Sequence, residues 1–188
     1  MKVYDDISGR LAEFITRQPM FFVATAPLAA DKHVNVSPKG MLGTFKILSP
    51  RRVAYLDYHG SGAETISHLR ENRRITIMFC AFEGSPNIVR LYGTGRVLPL
   101  PDPEFTALLP LFTDSPDTHG ARSIIDVDVH RITDSCGFSV PLMSYEGDRD
   151  LLLRNHARRS DEDFIEYRQQ KNAKSIDGLP AYPVEETV

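Results

Sequence analysis

Short runs of apolar, β-branched and aromatic residues recur through the first two thirds of the chain, and each run is bounded by Pro, Gly or Asp. Runs of this length and composition predict β-strands. The pattern therefore predicts a mainly β, α+β domain in which local helices accompany the strands. The predicted strands cover residues 21–26, 34–37, 52–58, 75–82, 87–98 and 123–132.

Helices are predicted in four places. Leu11, Phe14 and Ile15 recur at the spacing of one helix face, and Phe164 and Tyr167 give a later charged helix an apolar contact. An acidic first turn, which complements the helix dipole, favours the start of that later helix at residue 160. The predicted helices cover roughly the first 18 residues, then 63–72, 101–111 and 160–174.

Composition fits one globular domain with a sizeable core, since the chain has 188 residues, 41% of them hydrophobic, and a net charge of -3. No basic stripe supports nucleic-acid or membrane-surface binding, and no apolar run is long enough to span a bilayer. A cytoplasmic protein is the expectation, with Cys80 and Cys136 as reduced thiols. We divide the chain into a domain at 1–176 and an extended tail at 177–188.

Two turns carry groups that commonly bind phosphate. Residues 34–40 read VNVSPKG and place a hydroxyl and an ammonium group at a strand end. Residues 58–65 read YHGSGAET and lead from a strand through a flexible turn into a helix, where backbone N–H groups bind anions. Together the turns predict a site for a phosphorylated cofactor.

Other interpretations of the second turn are available. Its glycines imitate a dinucleotide-binding fingerprint, with Glu83 near the position of a ribose-binding acid. Against this, Thr65 takes the third glycine position, the helix is short, and no second βαβ unit follows. The six histidines lack the spacing of a metal site, so no metal is expected, although His33 and His59 flank the two turns.

Several segments resemble the pyridoxamine 5'-phosphate oxidase-like flavoproteins over roughly residues 14–143. The run VSPKG at 36–40 is similar to the strand that lies along the flavin in that family. Leu69 and Asn72 match the end of its short helix, and residues 89–97 are similar to its Val-Arg-Val-x-Gly strand. The resemblance implies a six- to seven-stranded antiparallel split β-barrel with short flanking helices, a homodimer, and FMN at the subunit interface.

The resemblance also implies a set of cofactor-binding residues. Ser37, Ser61 and Thr65 are expected to hydrogen-bond phosphate or ribityl oxygens, Lys39 to place charge near the phosphate or the ring, and the backbone of 35–37 to face the ring edge. The full expected set is Asn35, Val36, Ser37, Lys39, Tyr58, Ser61, Gly62, Thr65 and Arg90.

Two departures from the family pattern narrow the function. Glu64 and Thr65 stand where the oxidases have an Arg-Lys pair that clamps the FMN phosphate, and the residues that bind the B6 phosphate are missing. We therefore expect an FMN-dependent oxidoreductase that transfers hydride from a small-molecule substrate other than pyridoxamine phosphate to flavin N5. No catalytic side chain is assigned. One alternative is a non-catalytic carrier of flavin, deazaflavin or haem. The other is a structural or interaction domain whose turns bind no ligand.

Overall fold

One antiparallel sheet organises residues 1–182, the part of the chain that this computed structural model describes. None of the helices in that part has the length and apolar run that a bilayer crossing requires. In chain order the elements are β1 (Lys2–Tyr4), α1 (Gly9–Arg17), β2 (Met20–Thr25), β3 (Asn35–Gly40), β4 (Phe45–Ser49), β5 (Arg52–Tyr58), α2 (Glu64–Asn72), β6 (Arg74–Cys80), β7 (Ile88–Pro99), α3 (Pro103–Leu108), a 3-10 turn (Leu109–Phe112), β8 (Ala121–Ser135), α4 (Leu151–His156) and α5 (Asp161–Lys171).

The strands follow the order β3-β2-β6-β7-β8-β5-β4, and β1 pairs with the far end of β8. The long strands β7 and β8 bend at a register shift next to Gly93, where a Cβ atom would lie 2.6 Å from the carbonyl oxygen of Asp128. Such irregularities increase twist and let a sheet curl. β3 and β4 are the two ends of this strand order and do not pair with each other, so the curled sheet stays open between them. The predicted mainly β, antiparallel split barrel is confirmed, and its sheet has eight strands.

The sheet buries side chains on both faces. On one face Phe21, Phe45, Tyr55 and Phe79 pack with ring centroids 5.1 to 5.7 Å apart. On the other face α3 and the 3-10 turn cover a smaller apolar cluster that includes Leu56. Neighbouring residues of β5 point to opposite faces, and both faces are covered, so this strand is buried along most of its length.

The C-terminal segment folds back on the domain as far as it is described. Lys174 and Pro180 form an isolated bridge, Ala181 is fully buried, and the Tyr182 hydroxyl donates to the carbonyl oxygen of Arg122 at 3.1 Å. Residues 177–182 of the predicted extended tail therefore pack against the domain, and residues 183–188 lie outside the described residues. The division at 176 stays a prediction.

Candidate functional site

A cavity of about 570 Å³ opens where β2 begins and β3 and β5 end, beneath the loop between β8 and α4. Its volume lies within the usual range for small-molecule sites. The loop is held over it by hydrogen bonds from Met143 N to Phe82 O at 2.9 Å and from Leu42 N to Asp148 Oδ2 at 3.2 Å. The lining is largely apolar, and its polar members include Lys39, Tyr58, His59, Ser144, Tyr145, Asp148 and Arg149.

Lys39 enters the cavity as part of a buried ionic triad. Its Nζ donates to Asp57 Oδ1 at 2.7 Å, and Arg122 Nε donates to Asp57 Oδ2 at 2.7 Å. Burial by itself would raise the pKa of Asp57, but the two cations hold it well below its usual value. The triad therefore carries a net charge of +1 at neutral pH, with Lys39 as its most exposed member.

Arg122 also fixes the turn between β5 and α2. Its Nη1 donates to Gly60 O at 3.1 Å and its Nη2 donates to Gly62 O at 2.8 Å. Neither Asp57 nor Arg122 is among the residues predicted from the sequence. A charged residue inside each of two otherwise buried strands is the signal that points to such a pair, because a buried charge requires a partner.

His59 lines the cavity as a neutral imidazole. Arg168 Nη1 lies 2.8 Å from His59 Nε2, and because a guanidinium can only donate, His59 Nδ1 must carry the proton that is donated to Gly120 O at 2.9 Å. Burial lowers the pKa of His59 to about 4. His33 binds Asp177 instead and is exposed, so these two histidines have separate partners.

Three of the predicted residues form one hydrogen-bonded cluster at the start of β3. Ser37 Oγ donates to Asn35 Oδ1 at 3.0 Å, and Asn35 Nδ2 donates to Thr65 Oγ1 at 3.1 Å. These contacts bring β3 against the first turn of α2. They use the donor proton of Ser37 and one acceptor position of the Thr65 hydroxyl within the protein.

Glu64 alters the anion-binding potential of the turn. Ser61 and Gly62 are exposed there, but the backbone N–H of Ala63 donates to Glu64 Oε2 at 3.0 Å. The other carboxylate oxygen accepts from the backbone N–H of Ile176 at 3.2 Å. A carboxylate thus lies at the start of α2, where a phosphate is otherwise favoured.

The remaining predicted residues take separate positions. Tyr58 lines the cavity with its side chain, while its hydroxyl donates to Asp117 O at 2.6 Å, and burial raises its pKa to about 12. Val36 is 63% exposed on β3. Arg90 lies on β7, where its Nη1 donates to Ser135 Oγ at 3.1 Å, and within residues 1–182 it hydrogen-bonds none of the other predicted side chains.

Residues 7–136 match the family model described as pyridoxamine 5'-phosphate oxidase. The Aspergillus flavus protein named Pyridoxamine 5'-phosphate oxidase family protein ustO is 40% identical over 191 residues, covering 94% of this chain and 76% of that protein. The chain therefore belongs to the pyridoxamine 5'-phosphate oxidase family, as the sequence segments predicted.

A solved structure of a tagged HupZ variant from Group A Streptococcus supports the fold assignment. It superposes with a TM-score of 0.56 at 19% identity and covers 69% of this chain and 99% of its own. At that identity the likeness concerns the fold alone.

Proposed function

We propose that this chain binds FMN between β3 and the turn that joins β5 to α2, and that it acts as a flavin-dependent oxidoreductase on a small molecule other than pyridoxamine phosphate. The observation that carries the proposal is the position of β3. This strand pairs only with β2 in the described chain, so its other edge keeps backbone N–H and C=O groups available beside the cavity. Free backbone edges of this kind can hydrogen-bond the polar rim of a flavin ring.

The cavity residues suit a planar ring system. Met20, Met41 and Leu56 supply apolar walls, and the cavity is large enough for a molecule of drug-like size. Lys39 supplies a positive charge that is partly compensated by Asp57, and Arg149 supplies a second one. Such a lining combines apolar contact with a few placed charges, as cofactor sites do.

The phosphate end of FMN fits less directly. Glu64 already accepts the N–H of Ala63, so a phosphate at this turn must displace the carboxylate. The exposed Ser61 hydroxyl and the Gly62 N–H would then be the nearest donors at the turn. We therefore expect FMN to bind more weakly here than a clamp with an Arg-Lys pair would allow.

When bound, FMN would supply the redox chemistry by accepting a hydride from the substrate. The protein's own contribution is to orient the ring along β3 and to set the charge around it. The Lys39–Asp57–Arg122 triad fixes Lys39 Nζ at the cavity wall, which favours negative charge on a ligand next to it. His59 is uncharged at neutral pH and hydrogen-bonded at both ring nitrogens, so it is not a free base.

The absorption spectrum of the freshly purified protein is the first test, followed by release and mass identification of any chromophore. We expect a flavin spectrum and release of FMN. Lys39→Ala should weaken FMN binding about 10- to 100-fold, as expected for the loss of a charge-assisted hydrogen bond. Lys46→Ala is the matched control, because Lys46 is also ion-paired, to Asp114, but does not line the cavity.

Titration of Glu64→Gln with FMN and with riboflavin tests the position of the phosphate. FMN should bind this variant more tightly than it binds the wild type, while riboflavin affinity should not change. A protein that stays colourless and takes up no added FMN would contradict the proposal. Equal FMN affinity in the Lys39→Ala variant and the wild type would remove Lys39 from the site.

A non-catalytic carrier of flavin or deazaflavin is the second candidate function. The Glu64 carboxylate at the start of α2 favours it, because a catalytic family member with a tight phosphate clamp would have cations there. Haem is less well supported, since both ring nitrogens of His59 already have partners. Anaerobic addition of reductants distinguishes the two functions. Substrate-dependent bleaching with turnover in air supports the oxidoreductase, and a bound flavin that no tested substrate reduces supports the carrier.

A further inference from the structure

A second cavity, of about 330 Å³, lies between α2, α5 and the loop that follows β7. It shares no lining residue with the candidate flavin cavity. Three arginines from three different elements line it, and none of its lining residues is an Asp or a Glu. The lining consists of Arg70, Pro99, Leu100, Pro101, Arg122, Ile165, Arg168, Gln169 and Tyr182.

The positive charge of this cavity is only partly compensated. Arg122 is paired with Asp57, and its Nη1 and Nη2 groups donate to the carbonyl oxygens of Gly60 and Gly62. Among the described residues, however, neither Arg70 nor Arg168 takes part in an ion pair. Two guanidinium groups thus face a small cavity to which residues 1–182 contribute no carboxylate, in a chain whose net charge is negative.

Tyr182 holds these two arginines at the cavity. The Cζ atoms of Arg70 and Arg168 each lie 6.0 Å from the centroid of its ring, within the range of a cation–π contact. The ring itself is fixed because the Tyr182 hydroxyl donates to Arg122 O and the side chain is buried. Arg168 Nη1 also donates to His59 Nε2 at 2.8 Å, so Arg168 is positioned before any ligand arrives, which lowers the entropy cost of binding.

We propose that this cavity binds a small organic anion, one with a phosphate or carboxylate group on a short apolar body. Guanidinium groups match the geometry of both oxyanions, and a cleft lined by one sign of charge concentrates ions of the opposite sign. Pro99, Leu100 and Ile165 line the same cavity and supply the contact for the apolar part. Arg70 and Arg168 make the direct contacts with the anion. Arg122, whose donors are already used within the protein, adds positive charge at the cavity wall.

The test uses the full chain and isothermal titration calorimetry at low ionic strength with three probes. Phenyl phosphate and benzoate carry the two oxyanions on the same ring, and phenol is the uncharged analogue. We expect saturable binding of at least one anion, no binding of phenol, and a loss of affinity as salt increases. Which anion binds more tightly identifies the chemical group that the site prefers.

Arg70→Gln should weaken anion binding about tenfold, and because Arg70 is exposed this variant should fold normally. Arg131→Gln is the matched control, because Arg131 is an exposed arginine on β8 outside both cavities. Three results would overturn the proposal: no saturable binding by the wild type, equal weakening by both substitutions, or loss of binding in Lys39→Ala with full binding in Arg70→Gln. The last result would place the anion in the flavin cavity.

Discussion

Asp57 sets the electrostatics of the candidate site at the scale of single residues. Only 1% of it is exposed, and each of its carboxylate oxygens faces a different cation at 2.7 Å. Removing a carboxylate from water is costly, and the two close partners offset that cost. A ligand anion at Lys39 must share the ammonium group with Asp57, so this carboxylate moderates how strongly the cavity attracts negative charge.

We predict that Asp57→Asn destabilises the fold by about 3–5 kcal/mol, because it leaves Arg122 buried without a counter-ion. Urea denaturation at pH 7 measures the loss. Folding lowers the pKa of Asp57, so the ionised carboxylate stabilises the folded state. This stabilisation should be fully present above the pKa of Asp in the unfolded chain, about 3.9, and should be lost as the pH falls below that value. The destabilisation caused by Asp57→Asn should therefore shrink toward low pH.

The matched control is Asp128→Asn, which changes an exposed carboxylate on β8 and should shift stability by no more than about 0.5 kcal/mol. Similar urea midpoints for the two variants would mean that the triad contributes little net stability. That result would also undermine the role given to Arg122 in holding the turn.

At the scale of elements, the sequence predicted the strands that are apolar along their length and missed β1 and β4. Residues 2–4 form β1 beside β8, so the helix predicted over the first 18 residues was wrong there, and α1 begins at Gly9. Arg52–Tyr58 and Arg74–Cys80 coincide closely with predicted strands, because burial on both faces leaves a clear apolar run. β4 was missed because Phe45–Ser49 is a short run, only partly buried, whose strand conformation depends on its ladder with β5. α4 was missed because it is only six residues long, and its three leucines are followed directly by charged and polar residues.

The candidate site was predictable to a similar extent. Local motifs identified Lys39 and the turn after β5, since a turn can be read from neighbouring residues. The partnership of Asp57 with Arg122 joins residues 65 positions apart, and the contact of Arg168 with His59 joins residues 109 apart. No local pattern specifies such pairs, because only the register of β5 against β8 and the docking of α5 bring them together.

The docking of α5 depends on Phe164, which is 3% exposed and stacks on His59 with a centroid distance of 4.2 Å. We predict that Phe164→Ala weakens this docking by about 3 kcal/mol, at the lower end of the cost of deleting a buried ring. Hydrogen exchange of the α5 amides should then become about 100-fold faster, while exchange in β7 and β8 changes little. Ile165→Ala, at a position that is 42% exposed, is the control and should leave exchange in α5 nearly unchanged. Unchanged α5 exchange in Phe164→Ala would show that other contacts hold the helix.

At the scale of the whole molecule, the end of the split sheet formed by β3 exposes apolar side chains. β3 carries Val36 at 63% exposure, just after Val34 at 69%, next to a backbone edge that pairs with no other strand of residues 1–182. Exposed apolar edge strands invite pairing with another chain unless charge or a covering element prevents it. The same edge borders the candidate flavin cavity, so covering it with a second copy of the chain would also close the site on that side.

We therefore predict a homodimer in solution whose interface includes the outer side of β3. Analytical ultracentrifugation of the wild type should give twice the mass of the chain. Val36→Lys should shift the protein to the monomer, because it is costly to bury an unpaired ammonium group at an interface. Leu28→Lys is the control, since Leu28 is 65% exposed but lies outside the strands. If the dimer and the flavin site share this edge, Val36→Lys should also lower FMN occupancy. A wild type that sediments as a monomer at all concentrations would contradict the dimer, and a Val36→Lys variant that stays dimeric would move the interface away from β3.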